Sequence, residues 1–160
     1  MIFHYITIYL RTDNLWNSLN NLIAPIYIQN PQILLFVMSN SVGITQQLIA
    51  KALNLLNNED NNIVIAASPS GKVVLWGINY YDEKIFAELD SYDFTYDNFL
   101  KVIGKSDNFL FTIFGLLTVE NLDDFKSVYK VLSTKESIEF CSHEKHELFT
   151  QLFIEYKELL

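Results

Sequence analysis

"NIVIAASPSGKVVLWGINYY", residues 62–81, decides how this chain folds. Two apolar runs, "NIVIAA" (62–67) and "KVVLWGINYY" (72–81), flank "SPSG". Ser, Pro and Gly together are turn chemistry, so the stretch predicts a β-hairpin. The "SPSGK" segment (68–72) carries a Gly-Lys pair. A phosphate-binding P-loop needs GxxxxGK[ST] between a strand and a helix, whereas Val73 here begins a strand.

Working back from the hairpin, "ILLFVM" (33–38) is apolar throughout. A strand buried on both faces has that pattern, which predicts a central position in the sheet. Between the two, residues 41–57 place Ile44, Leu48, Ala52 and Leu55 on one helical face, and Asn57 and Asn58 end the helix. Residues 13–23 have helical spacing (Leu15, Trp16, Leu19, Leu22, Ile23), with Asp13 as cap and Pro25 as the stop. Residues 2–10 alternate with period two and predict a strand, with His4 among its apolar positions as a satisfied core or edge histidine. Working forward, Glu83–Leu89 predicts a short helix with Ile85, Phe86 and Leu89 inside, and Thr95 caps another that buries Phe99, Val102 and Ile103. "NFLFTIFGLLTV" (108–119) reads as a strand. Asn121 caps a helix over 121–132, and "SIEFC" (137–141) reads as a short edge strand. Ser142 caps a last helix to Leu160, with Leu148, Leu152, Tyr156 and Leu159 facing inward.

This alternation predicts an α/β (mixed α+β) fold: a single mixed sheet of five or six strands with helices packed on it. A length of 160 residues, half of them hydrophobic and 19% charged, supports one globular domain over residues 1–160 with a proper core. Cys141 is the only cysteine, which excludes an internal disulfide and fits a cytoplasmic protein. The N-terminus lacks the cationic region of a signal peptide. The longest apolar run, 109–119, is short of the roughly 20 residues that span a membrane.

Charge is distributed unevenly. Residues 79–100 hold six carboxylates and one lysine, a net −5 of the chain's −8. The same stretch holds seven aromatic residues. Such a patch repels nucleic acid and attracts a basic protein. Tyr among carboxylates makes a binding surface of large rigid rings within steering charge. The candidate partner-binding residues are Tyr80, Tyr81, Asp82, Glu83, Glu88, Asp90, Tyr92, Asp93, Tyr96 and Asp97.

The segments "YYDE" (80–83) and "DSYDFTYD" (90–97) carry a resemblance of character to bacterial immunity proteins of toxin competition systems, including contact-dependent inhibition. The resemblance implies a non-catalytic inhibitor that occludes a basic toxin, a nuclease, with an acidic, tyrosine-rich surface. It implies no particular fold.

The remaining candidates for chemistry are sparse. Cys141, His143 and His146 lie close in sequence, but a structural zinc needs four ligands, so they read as a polar first turn and no metal or cofactor is expected. Cys141 with His143 as a nucleophile and base is a weaker reading, since neighbours in sequence rarely have the mutual geometry that chemistry needs. Acid pairs such as Asp123–Asp124 read as surface charge, and Trp16 and Trp76 as core. Two alternatives stand beside the binding protein. One is a small α/β enzyme with its site at the carboxyl ends of parallel strands, its candidates Ser39, Asn40 and Ser41, which also read as a helix cap. The other is a scaffold subunit that oligomerises through apolar surface.

Overall fold

The computed structural model describes residues 23–26, 33–58, 60–89, 93–113, 115–139 and 141–160. The predicted strand over 2–10, and nearly all of the predicted helix over 13–23, lie outside these residues. Residues 23–26 are helical, so Pro25, expected as a helix stop, is itself followed by the helical Ile26.

The hairpin forms as predicted. Strands β3 (Asn62–Ala67) and β4 (Val73–Ile78) pair antiparallel, with a register shift between Ala66 and Ala67. Strand β1 (Leu34–Val37) joins the other side of β4, antiparallel, and β5 (Phe109–Thr112) joins β3 in parallel. The order is β1-β4-β3-β5, so β1, β3 and β5 all point the same way. Two further short strands, β2 (Ser41–Val42) and β6 (Leu117–Thr118), pair in a separate ribbon. The described strands thus fall into a mixed sheet of four and a ribbon of two, where one sheet of five or six was expected.

Helix α1 (Gln46–Leu56) covers one face of the sheet, where Ala52 and Leu56 pack with Val64, Ala66, Val74 and Leu75. Helices α2 (Glu83–Leu89) and α3 (Tyr96–Ile103) cover the other. There Trp76 is 4% exposed and stacks on Phe36 with ring centroids 4.3 Å apart, against Phe86, Phe94 and Phe99. A third cluster joins α4 (Leu122–Leu132) and α5 (His143–Glu155) to the ribbon, through Val128, Leu132, Cys141 and Phe153.

The central strands are β3 and β4, nearly every residue of which is buried. "ILLFVM" does not hold the central place expected of it: among the described residues β1 is an end strand, with Val37 exposed. The physical reason is that helices cover both faces. Leu34 and Phe36 pack on the α2/α3 side, and Leu35 and Met38 on the α1 side. An end strand in such a sandwich needs two apolar faces as much as a central one does, because only its lateral edge is open.

Three further expectations change. Residues 137–139 of the expected strand "SIEFC" lie instead in a 3-10 turn, Lys135–Glu139, in which the buried Ser137 donates to the carbonyls of Leu132 and Thr134. The run 108–119 is divided into β5 and β6. On α5 the inward residues are Phe149 and Phe153, while Leu148, Leu152, Tyr156 and Leu159 are exposed.

Candidate functional site

The turn between β3 and β4 is built for a tight reversal. The amide of Gly71 donates to Ser68 O at 2.9 Å, and that of Ser68 to Lys72 O at 2.8 Å. Gly71 has φ +83°, a conformation that a side chain would strain. Ser68 is buried, and its hydroxyl lies 2.8 Å from that of Ser70.

The segment before α3 is laced to this turn. The amide of Val73 donates to Phe94 O at 2.9 Å, and that of Tyr96 to Gly71 O at 2.8 Å. Thr95 caps α3, its hydroxyl accepting from Asn98 N and its carbonyl from Phe99 N. Tyr96 reaches across to β5, its hydroxyl 3.2 Å from Thr112 Oγ1. Between turn and helix lies an open cleft of about 440 Å³, lined by residues 67–71 and 95–97. Gly115 closes up behind it, since a Cβ there would stand 2.5 Å from Ala67 O.

The position is informative. The cleft opens at the carboxyl end of β3, beside that of its parallel neighbour β5. Open α/β sheets bind ligands at that edge. The turn residues Ser39 and Asn40 follow β1 at the same edge, and Ser41 begins β2, its hydroxyl buried without a hydrogen-bond partner. None of the three caps a helix. Thr45 caps α1, its hydroxyl accepting from Leu48 N at 3.1 Å. Lys72, next to Gly71 in the chain, forms an ion pair with Glu120.

The described residues among the ten singled out in the acidic stretch lie in two groups. Tyr80, Tyr81, Asp82 and Glu83 follow the end of β4, while Asp93, Tyr96 and Asp97 lie beside its start, a strand length of about 20 Å away. Asp90 and Tyr92 lie outside the described residues. Tyr80, Tyr81 and Tyr96 are half-buried against the core, and Tyr81 stacks on Phe86 with ring centroids 5.4 Å apart. Asp82 accepts from the amides of Lys84 and Ile85 and so starts α2. Glu88 pairs with Lys105. Glu83, Asp93 and Asp97 are exposed. Tyr96 and Asp97 line the cleft; its other polar side chains, Ser68, Ser70 and Thr95, drew attention in the sequence only as turn and cap.

No metal cluster forms from Cys141, His143 and His146. Cys141 is buried between α4 and α5, His146 Nε2 lies 2.8 Å from Leu132 O, and His143 faces Glu147. Among the described residues, no three His, Cys, Asp or Glu side chains gather as a metal site would require. Among these residues no helix is long and apolar enough to cross a membrane.

No family model matches the sequence, and no curated protein matches it. The fold does have a counterpart in a crystal structure: a provisionally assigned nucleotide-diphospho-sugar transferase from Desulfovibrio desulfuricans G20. The TM-score is 0.73 at 14% identity, over 93% of this chain. The chain spans 62% of the length of that protein. This likeness overturns the resemblance to toxin-immunity proteins and the reading as an inhibitor of a basic nuclease. That reading rested on the character of one stretch, whereas the likeness in fold extends over 93% of the chain.

Proposed function

We propose that the chain is a small α/β enzyme of the sugar-transferring class, acting on a nucleotide-linked sugar at the carboxyl edge of its sheet. The supporting observation is the coincidence of two features. The backbone follows a nucleotide-diphospho-sugar transferase over 93% of its length, and a 440 Å³ cleft opens beside the parallel pair β3/β5. That volume lies within the range of about 300–1,000 Å³ usual for small-molecule sites. In such chemistry an acceptor oxygen attacks the anomeric carbon, the bond to the diphosphate breaks, and the nucleoside diphosphate leaves. The protein's part is to bind and orient the reacting groups.

The test is a titration of the full chain with UDP-, GDP- and dTDP-linked hexoses, followed by ¹⁵N–¹H amide shifts. The expected result is saturable shifts with at least one donor. If none of these donors shifts any amide at millimolar concentration, the proposal fails.

A further inference from the structure

The chemistry of the cleft is selective within its own class of ligand. Its lining offers the hydroxyls of Ser70 and Tyr96 and the carboxylate of Asp97, with Ser68 and Thr95 behind them. Among the described residues, no lysine or arginine lines it. The next cation in the chain, Lys72, is paired with Glu120. A diphosphate entering here would meet the exposed carboxylate of Asp97 on the first turn of α3. That carboxylate occupies the helix end where an anion would otherwise be favoured. Three amides of the surrounding backbone are also already engaged: Tyr96 N with Gly71 O, Asn98 N with Thr95 Oγ1, and Gly71 N with Ser68 O.

An uncharged polyol is recognised by the opposite set of groups. Its hydroxyls donate to carboxylates and exchange hydrogen bonds with side-chain hydroxyls, and a carboxylate is the strong acceptor in such a set. We infer that the cleft between the Ser68–Gly71 turn and the start of α3 receives an uncharged sugar ring, through Asp97, Ser70 and Tyr96, and not the diphosphate of a nucleotide. This rests on the proposed class of substrate and names the part of it that the cleft takes. The diphosphate then lies outside the cleft.

Asp97→Asn distinguishes the two occupants by sign. It removes a charged acceptor, which weakens a polyol by about tenfold, but it removes a repulsion from a phosphate. The probes are glucose, galactose and N-acetylglucosamine, inorganic pyrophosphate, and the three nucleotide-linked hexoses, each titrated into the full chain and into Asp97→Asn. The readout is the amide shifts of residues 68, 70, 71 and 95–97. The inference expects at least one free sugar to shift these amides saturably, with about tenfold weaker binding in Asp97→Asn, and pyrophosphate to leave them unmoved. Pyrophosphate that shifts them, and binds more tightly to Asp97→Asn, overturns it. So does the absence of any shift there with the free sugars, or equal sugar affinity in both proteins. Nucleotide-linked hexoses that shift amides only elsewhere refute this placement and leave the proposed class standing, whereas the failure of all three to shift any amide refutes the class itself.

Discussion

Asn79, the residue after β4, holds the connection between α1 and β3 through one side chain. Its Nδ2 lies 2.9 Å from Leu56 O, 3.1 Å from Asn58 O and 2.8 Å from Asp60 O. Its Oδ1 accepts from the amide of Asn62 at 2.8 Å. Asn62 is fully buried, so its amide has no water to turn to. Asn79→Ala removes two N–H donors, each of about 1 kcal/mol net, and orphans a buried amide at about 1–3 kcal/mol. The expected loss is about 3–5 kcal/mol, a large share of the roughly 5–15 kcal/mol of a typical domain. In a chain of this size that lowers Tm by about 10 °C. Urea denaturation should show a lower midpoint at unchanged slope. Asn79→Asp makes the reasoning sharper. It keeps the acceptor for Asn62 but turns a carboxylate toward three carbonyl oxygens, so the folded state holds its proton more tightly than the unfolded state does. With more protons bound in the folded form, the variant loses stability as pH rises through the carboxylate range and recovers it as pH falls. A loss below about 0.5 kcal/mol in Asn79→Ala, or an Asn79→Asp variant that tracks the parent at every pH, would refute the argument.

Three further outcomes follow from the packing. Gly115→Ala sets a Cβ against Ala67 O and should cost about 1–3 kcal/mol in urea unfolding, with amide shifts at Ser68 as the end of β3 gives way. Thr95→Ala should cost about 1 kcal/mol by loss of the α3 cap, and Thr95→Ser should restore most of it. Phe153→Ala should cost about 3–5 kcal/mol, whereas Leu148→Gln should stay within about 0.5 kcal/mol, because Leu148 is 60% exposed and Phe153 only 8%. Comparable losses in both variants would return α5 to the orientation expected from its sequence.

What the sequence revealed and what it concealed divide along the range of the interactions. The hairpin turn, the bounds of α2, and the caps Thr95, Asn121 and Ser142 all depend on residues within a few positions of one another, and all were legible. The cleft was not, because its position depends on the parallel pairing of β3 with β5, whose partners are 47 positions apart at Asn62 and Phe109. The turn "SPSG" carries no local mark that separates an ordinary reversal from one placed at the carboxyl end of a parallel pair. The acidic stretch is divided by the same kind of long-range geometry: its residues are adjacent in sequence, and β4 and α2 carry its two ends to opposite edges of the sheet.

Helix α5 shows the same limit within a single element. Leu148, Phe149, Leu152, Phe153, Ile154 and Tyr156 are all apolar or aromatic, so the apolar arc is wider than the strip a neighbouring helix can cover. Period alone then fixes that the segment is helical and not which way it faces. The choice is made by α4. Phe125 and Tyr129 present their rings to Phe153 at centroid distances of 5.2 and 4.9 Å, the latter edge-on, a geometry that aliphatic side chains cannot provide. Once Phe153 is drawn in, the 100° step of the helix carries Leu148 and Ile154 out to solvent, at 60% and 65% exposure. The exposed leucines of α5 are therefore a consequence of aromatic packing on the opposite flank, and no reading of the helix in isolation would have chosen that flank.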